Sequence, residues 1–556
     1  MSCSSCKPAV GGPPPEGAAS EHPDFPSGST NPCKLCTPLG ACLAFKGIEG
    51  AVPLLHGSQG CATYIRRYLI SHFREPVDIA STNFSEDSAV FGGRKNLHTA
   101  LDNVGRQYHP ALVGIATTCL SETMGENMPM LIGEYRKEAE ERKAECGLGG
   151  APEGSAAAGS PAAVVPFASG SEEFRNPHAQ VRKPDRPELV HVSTPSFKGT
   201  HAEGFHAAVR ALVETLAGDA ARDTKLEDGS AAPVAIFPGM VSPADLRHLR
   251  DFCSPWGTAV TLVPDYAETL DGPSWADFER LPSGGTTVAE LRALGIARAA
   301  VEFGHSLAIA PRTAGTHLKA RFGVPLHRIG LPIGLRGTDA FCAALNATCP
   351  NVGASLLAMA DPESPASRLL HGKPSFCSVV DSSGRELGLP ARIAAERGRL
   401  IDSYVDAHKY LAGKKAVVYG EDDLVAGLAV FLAETGITPV LVASGERNRR
   451  LAAALFAAAP ELRDRTEVRE GSDFGDIEAR IAELKPDLLL GSSKGYKLAR
   501  ALGVPLVRCG FPVHDRLGSQ RIQILGYAGT QQLFDRIVNA LLEAKQEHSD
   551  IGYSYL

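Results

Sequence analysis

Three cysteines could together carry chemistry that no single one could. Cys36, Cys61 and Cys119 stand in the segments C-T-P-L-G, H-G-S-Q-G-C and I-A-T-T-C, separated by 25 and 58 residues. Each borders a glycine-bearing or strand-end segment, which places the thiols at the ends of secondary elements rather than inside helices. Thiolates so far apart suit a metal–sulfur cluster gripped from several directions. They suit a zinc knuckle poorly, because zinc sites usually take two ligands from one short turn. Three thiolates are too few to close most clusters, so further ligands are expected from a fourth residue or from a second polypeptide. Gly40, Gly57 and Gly60 would remove bulk beside such a cluster and permit positive φ in the turns.

The bland reading competes at every position. A lone cysteine is more often an inert core residue than a ligand. Three at the carboxyl ends of strands, where α/β sheets open their binding crevice, shift that balance. Cys33 with Cys36, and Cys3 with Cys6, form C-x-x-C pairs that alone fit zinc, a redox dithiol or chance. His56, His72 and His201 read first as core histidines. The turn Tyr419-Gly420-Glu421-Asp422 lacks G-x-G-x-x-G and the chain has no Walker A sequence, so neither a bound dinucleotide nor ATP hydrolysis is expected. Gly491-Ser492-Ser493 reads as a plain tight connection.

The elements that must position these residues alternate apolar strands with amphipathic helices. Strands are expected at Ala51–Leu55, Ala111–Thr118 and Leu189–Ser193, with a helix over Glu126–Lys143. A second set follows at Val234–Phe237, Ala259–Val263, Ala299–Glu302, Ala308–Ala310 and Leu326–Ile329. A third runs through Ala416–Tyr419, Pro439–Val442, Asp487–Leu490 and Leu506–Arg508 and closes on a helix over Gln531–Lys545. The expected architecture is α/β, three Rossmann-like domains with mostly parallel sheets flanked by helices. Its boundaries are a disordered tail over 1–30, a first domain over 31–200 with an exposed Ala/Gly/Ser-rich insertion at 144–187, a second over 201–345 and a third over 346–556.

Composition narrows the class. Of 556 residues 44% are hydrophobic and 21% charged, enough for a substantial core. A net charge of −7 gives no general pull toward nucleic acid or an anionic membrane. No apolar run is long enough to span a bilayer. Thirteen cysteines, an odd count, behind an N-terminus unlike a secretory signal point to reduced thiols and the cytoplasm.

The stretch from Asn31 to Cys119 (NPCKLCTPLGACLAFKGIEGAVPLLHGSQGC … ATTC) resembles the β-type subunit of the nitrogenase component 1 superfamily. The likeness continues in TPSFKGTH, IFPGMVSP, GGTT, LPIGLRGTDAF, ERGRLIDSYVDAHKYLAGKK and CGFPVHDR. The resemblance implies that Cys36, Cys61 and Cys119 bind this chain's share of a P-cluster, an [8Fe-7S] centre completed by a homologous α-type subunit in an α2β2 heterotetramer. It implies that Ser196 coordinates the oxidised cluster, that Tyr64 lies between the metal centres, and that Phe91 sits where a homodimeric, ATP-hydrolysing [4Fe-4S] Fe protein docks. Electrons would pass through the cluster to a cofactor in the α-type partner, so no catalytic residue is expected here. The phrases LAFKGIEGAVPLLHGSQGC and LSETMGE look more like the β-type subunit of the cofactor-assembly scaffold, which typically lacks the third cysteine that is present here as Cys119. Arg336 stands in an expected loop where the molybdenum enzyme carries an acidic ligand to a surface metal, so that metal is not expected. Such a hybrid resembles the nitrogenase-like methylthio-alkane reductases, which cleave C–S bonds of volatile organic sulfur compounds. Dinitrogen reduction and the scaffold role are the alternatives within the family; a plain α/β metabolite-binding protein is the alternative outside it.

Overall fold

The computed structural model describes residues 33–147, 186–218, 232–275, 279–349, 376–381 and 383–549. The expected tail over 1–30 and nearly all of the expected insertion over 144–187 lie outside the described residues.

Strands β1 (Ala51–His56), β2 (Ala80–Ser81), β3 (Leu112–Thr117) and β4 (Glu188–Val192) form a parallel sheet in the order β2-β1-β3-β4. Both central strands are buried along their whole length, which is why they read as continuous apolar runs. Helices α1 (Thr37–Lys46), α2 (Gln59–Phe73), α3 (Glu86–Phe91), α4 (Arg94–Tyr108), α5 (Cys119–Met124), α6 (Met128–Gly147) and α7 (His201–Leu216) surround it. The chain leaves β1 toward β2 and later returns to the other side of β1 as β3. The β1/β3 junction is therefore a topological switch point, where connections diverge and open a crevice at the strands' carboxyl ends.

The second sheet repeats the scheme with β5 (Val234–Phe237), β6 (Val260–Leu262), β7 (Ala299–Phe303) and β8 (Leu326–Ile329) in the order β6-β5-β7-β8, again parallel. With it go α8 (Pro243–Cys253), α9 (Val288–Arg292), α10 (His305–Ala308), α11 (Ala314–Phe322) and α12 (Gly334–Thr348). Its switch point is β5/β7. The expected strand over 308–310 does not form: the chain there finishes α10, and the Ala308 carbonyl accepts from Arg328 Nη1 at 2.7 Å. Arg336 stands in helix α12 and not in a loop; it ion-pairs with Glu461.

An antiparallel pair, β9 (Phe376–Val380) with β10 (Glu386–Pro390), precedes the third sheet. That sheet is parallel, β13-β12-β11-β14-β15, built from β11 (Lys415–Gly420), β12 (Thr438–Ser444), β13 (Glu467–Arg469), β14 (Leu488–Gly491) and β15 (Leu506–Arg508). Its helices are α13 (Ala391–Leu411), α14 (Asp422–Glu434), α15 (Leu451–Ala458), α16 (Phe474–Leu484), α17 (Tyr496–Leu502) and α18 (Gly526–Glu547).

One apolar core runs through all three sheets. Its tightest joint is between α1 and α7. All ten residues of α1 are buried, and full burial of each large apolar side chain such as Leu39 or Phe45 contributes about 1.5–3 kcal/mol. A Cβ on Gly40 would strike the His201 carbonyl, and one on Gly204 would strike the Thr37 carbonyl. Reciprocal glycines thus let the two backbones touch. Gly40 serves helix packing and not a turn beside the thiols.

Candidate functional site

Cys36, Cys61 and Cys119 begin three helices. Cys36 is the N-cap of α1, Cys61 lies in the first turn of α2, and Cys119 is the first residue of α5. Cys61 and Cys119 follow β1 and β3, so they stand at the first sheet's switch point. Cys61 is therefore inside a helical turn, against the expectation that the thiols avoid helices. All three stand at helix starts, where backbone N–H groups lack intrahelical partners.

Ser196 ties two of the three together. Its backbone N–H donates to Cys119 Sγ at 3.3 Å, and its Oγ accepts from Thr37 N, the residue after Cys36, at 3.3 Å. Tyr64, one turn after Cys61 on α2, hydrogen-bonds to Cys36, and burial together with the neighbouring Cys36 and Tyr68 pushes its phenol pKa up. Ser58 Oγ lies 3.6 Å from Cys61 Sγ. Contacts thus link Cys36, Cys119, Ser196 and Tyr64, and Cys61 stands one turn before Tyr64 on α2.

The surrounding frame is rigid. The Gly57 turn admits no side chain, since a Cβ there would overlap Thr118. Ser121 Oγ donates to the His56 carbonyl at 2.9 Å, locking the start of α5 to the end of β1. The segment before Cys36 is pinned to α7, with Leu35 N donating to His201 Nδ1 at 3.3 Å and His201 N donating back to Leu35 O at 3.1 Å.

Exposure sets these thiols apart from the described cysteines other than Cys377, which is also half-buried. Cys36 and Cys61 are half-buried and Cys119 is exposed. Cys33, Cys42, Cys253, Cys342, Cys349 and Cys509 are buried. Burial pushes the Cys33 and Cys509 thiols up to about 12, and raises those of Cys42, Cys253 and Cys342 as well. Cys33 packs against Tyr419 and Leu489 at the third sheet, which removes the Cys33/Cys36 pair as a dithiol or zinc site. Cys3 and Cys6 lie outside the described residues. Among the described residues no three His, Cys, Asp or Glu side chains are spaced to hold a single metal ion.

Exposed apolar side chains follow these residues along the chain: Phe197 after Ser196 is 60% exposed, Leu120 after Cys119 38%, and Tyr64 on α2 37%. Phe91 stands apart at the end of α3, 86% exposed beside Val90 at 75%. The histidines are core residues. Burial lowers His72 and His201 to about 3 and lowers His56, whose Nε2 pairs with Glu126. Sequence reasoning missed Lys494, whose charge acts on both Cys33 and Cys36 and whose Nζ donates to Lys34 O at 3.2 Å. It arrives from 460 positions away in the chain, and no local pattern announces it.

Residues 36–542 match the family described as nitrogenase component 1 type oxidoreductase. The chain is 34% identical to the nitrogenase molybdenum-iron protein beta chain of Methanothermobacter marburgensis, over 93% of this chain and 95% of that protein. It is 30% identical to the beta chain of the same name from Azotobacter vinelandii, over 94% and 86%. The solved structure of nitrogenase Cp1 at pH 6.5 superposes with a TM-score of 0.75 at 27% identity, covering 95% of this chain and 96% of that one.

Proposed function

The chain belongs to the nitrogenase component 1 type oxidoreductases as a β-type subunit, and from that premise we propose that Cys36, Cys61 and Cys119 hold its half of a P-cluster-type [8Fe-7S] centre. What supports the proposal is that Ser196 bridges Cys119 and the residue after Cys36, while Cys61 and Cys119 follow the two strands of the first sheet's switch point. Soft sulfur donors left half-buried or exposed by the chain fit an iron–sulfur centre completed by a second polypeptide. When bound, the group supplies reversible one-electron redox chemistry.

The chain's own residues do the rest. Thr37 N and Ser196 N fix the serine across the gap, so its Oγ is placed to add an oxygen ligand. Phe197, Leu120 and Tyr64 form the apolar margin that excludes water once an α-type subunit covers it. Tyr64 would lie between the cluster and the partner's cofactor, and the exposed Phe91 with Val90 would offer an apolar contact for an Fe protein dimer. The resulting assembly is an α2β2 heterotetramer in the cytoplasm. No helix among the described residues is long and apolar enough to cross a membrane.

For substrate, the reading is methylthio-alkane reduction, on the strength of scaffold-like phrases combined with a retained third cysteine. Dinitrogen reduction is the second reading, favoured by the names of the curated relatives. A scaffold role is the third. Iron and sulfide analysis with EPR of the anaerobically purified complex tests the cluster: an eight-iron centre supports it, a four-iron centre favours the scaffold, and absence of iron overturns both. Turnover with the matching Fe protein then separates methanethiol plus hydrocarbon from ammonia.

A further inference from the structure

The exposed pair Val90 and Phe91 and the thiols of the first sheet are fastened to one turn. That turn is His56-Gly57, at the end of β1, and it leads through Ser58, the N-cap of α2, into Cys61. Helix α3 ends on Phe91, and the chain on both sides of α3 is tied to the same turn.

Before α3 the tie is to Gly57. Gly57 N donates to Thr82 Oγ1 at 2.9 Å, and Phe84 N donates to Gly57 O at 2.9 Å. The Phe84 ring stands edge-on to the His56 ring, with centroids 4.8 Å apart. After α3 the tie is to His56, through Glu126. One carboxylate oxygen of Glu126 accepts from Gly93 N, and the other pairs with His56 Nε2. A Cβ on Gly93 would strike the Phe84 ring, so the chain leaving Phe91 fits against this node only as glycine.

From the turn the ties run on to Cys119. Thr118 Oγ1 and Ser121 Oγ donate to His56 O at 3.2 and 2.9 Å, and Thr118 is the N-cap of α5, which Cys119 begins. Glu126 follows α5 on the same stretch of chain. Three segments therefore meet at one carboxylate: the one bearing Phe91, the one leading to Cys61 and the one starting at Cys119. The Glu126 side chain is 8% exposed and that of His56 is fully buried, so little water competes for these bonds. His56 Nδ1 has no hydrogen-bond partner among the described residues, which leaves Glu126 as the polar hold on the ring.

We propose that Glu126 is a positioning residue that couples the Phe91 surface to the thiols. A protein seated on Phe91 and Val90 bears on Gly93, and the Glu126 carboxylate passes the displacement to the His56 turn and to the chain that carries Cys119. The network is contiguous through hydrogen bonds and packed rings, as such coupling requires. The inference rests on the reading that an Fe protein docks at Phe91. A merely structural tie would hold the turn alike with and without that partner, whereas a coupling tie makes the turn respond to it.

Hydrogen–deuterium exchange of the intact purified complex tests this, with and without its Fe protein held docked by a non-hydrolysable ATP analogue. In the unaltered complex, docking should slow exchange of the amides over 57–61 and 118–121 by about tenfold. Glu126→Ala should keep docking affinity within about twofold, lose that slowing, and reduce electron transfer at saturating Fe protein about tenfold. Glu126→Gln, whose amide oxygen can still accept from Gly93 N, should restore most of the response. Phe91→Ala should instead weaken docking itself. Unchanged slowing in Glu126→Ala, or slowing lost only in step with docking affinity, would overturn the coupling. If Glu126→Ala does not assemble, Thr82→Val, which cuts the Gly57 tie, takes its place, and a full response there is the contrary result. An Fe protein that fails to bind the unaltered complex would remove the docking reading and the coupling together; bound Fe protein with unaltered exchange removes the coupling alone.

Discussion

The switch point of the first sheet and that of the second share a topology and differ in chemistry. In the first, the turns after β1 and β3 lead into helices whose opening residues are half-buried or exposed sulfurs. In the second, the ends of β5 and β7 meet the third sheet around buried carboxylates. The first edge leaves its sulfurs half-buried or exposed; the other is walled in by the chain itself. The fold supplies the crevice, and the residues at its lip decide what can sit there.

The largest effect is expected where the contrast is sharpest. Cys61→Ala should strip iron from the complex and abolish turnover, as read by iron analysis and EPR, whereas full iron retention would end the distinction between the two edges. Gly204→Ala should destabilise the protein by about 1–3 kcal/mol in denaturant melts, because the new methyl group has to push α7 off α1. It should also lower iron content, since Cys36 rides on α1. Cys253→Ala probes a thiol away from either edge. It should cost about 1 kcal/mol for the small cavity and leave iron untouched. The smallest effect belongs to Glu421→Gln. A carboxyl whose folded pKa is raised favours folding below its unfolded value and loses that contribution as pH rises toward about 8. Removing the charge should therefore raise the melting temperature at high pH, by about 1–2 °C, and leave it unchanged in acid. A melting temperature that falls instead would mean that the Glu421 carboxylate is stabilised after all.

The strands were legible because buried parallel strands are unbroken apolar runs, as in Ala51–His56 and Leu112–Thr117. The same signal misled at 308–310, where a short apolar run is a helix end; such runs do not distinguish the two. The thiols could be found because each lies just past an element boundary with turn chemistry. Their linkage could not. Ser196 reaches Cys119 across 77 positions and Lys494 reaches Lys34 across 460, and neither meeting leaves a local pattern. Ser196 was reached only through family likeness. Gly40 was noticed for the wrong reason, since its partner surface is the His201 carbonyl on another helix.

That helix contact bears on the order of events during maturation. With α1 and α7 seated backbone to backbone, the lip carrying Cys36 and the loop carrying Ser196 are held by the polypeptide itself. On the proposed reading, metal loading would then be a matter of delivery and of closure by the second subunit.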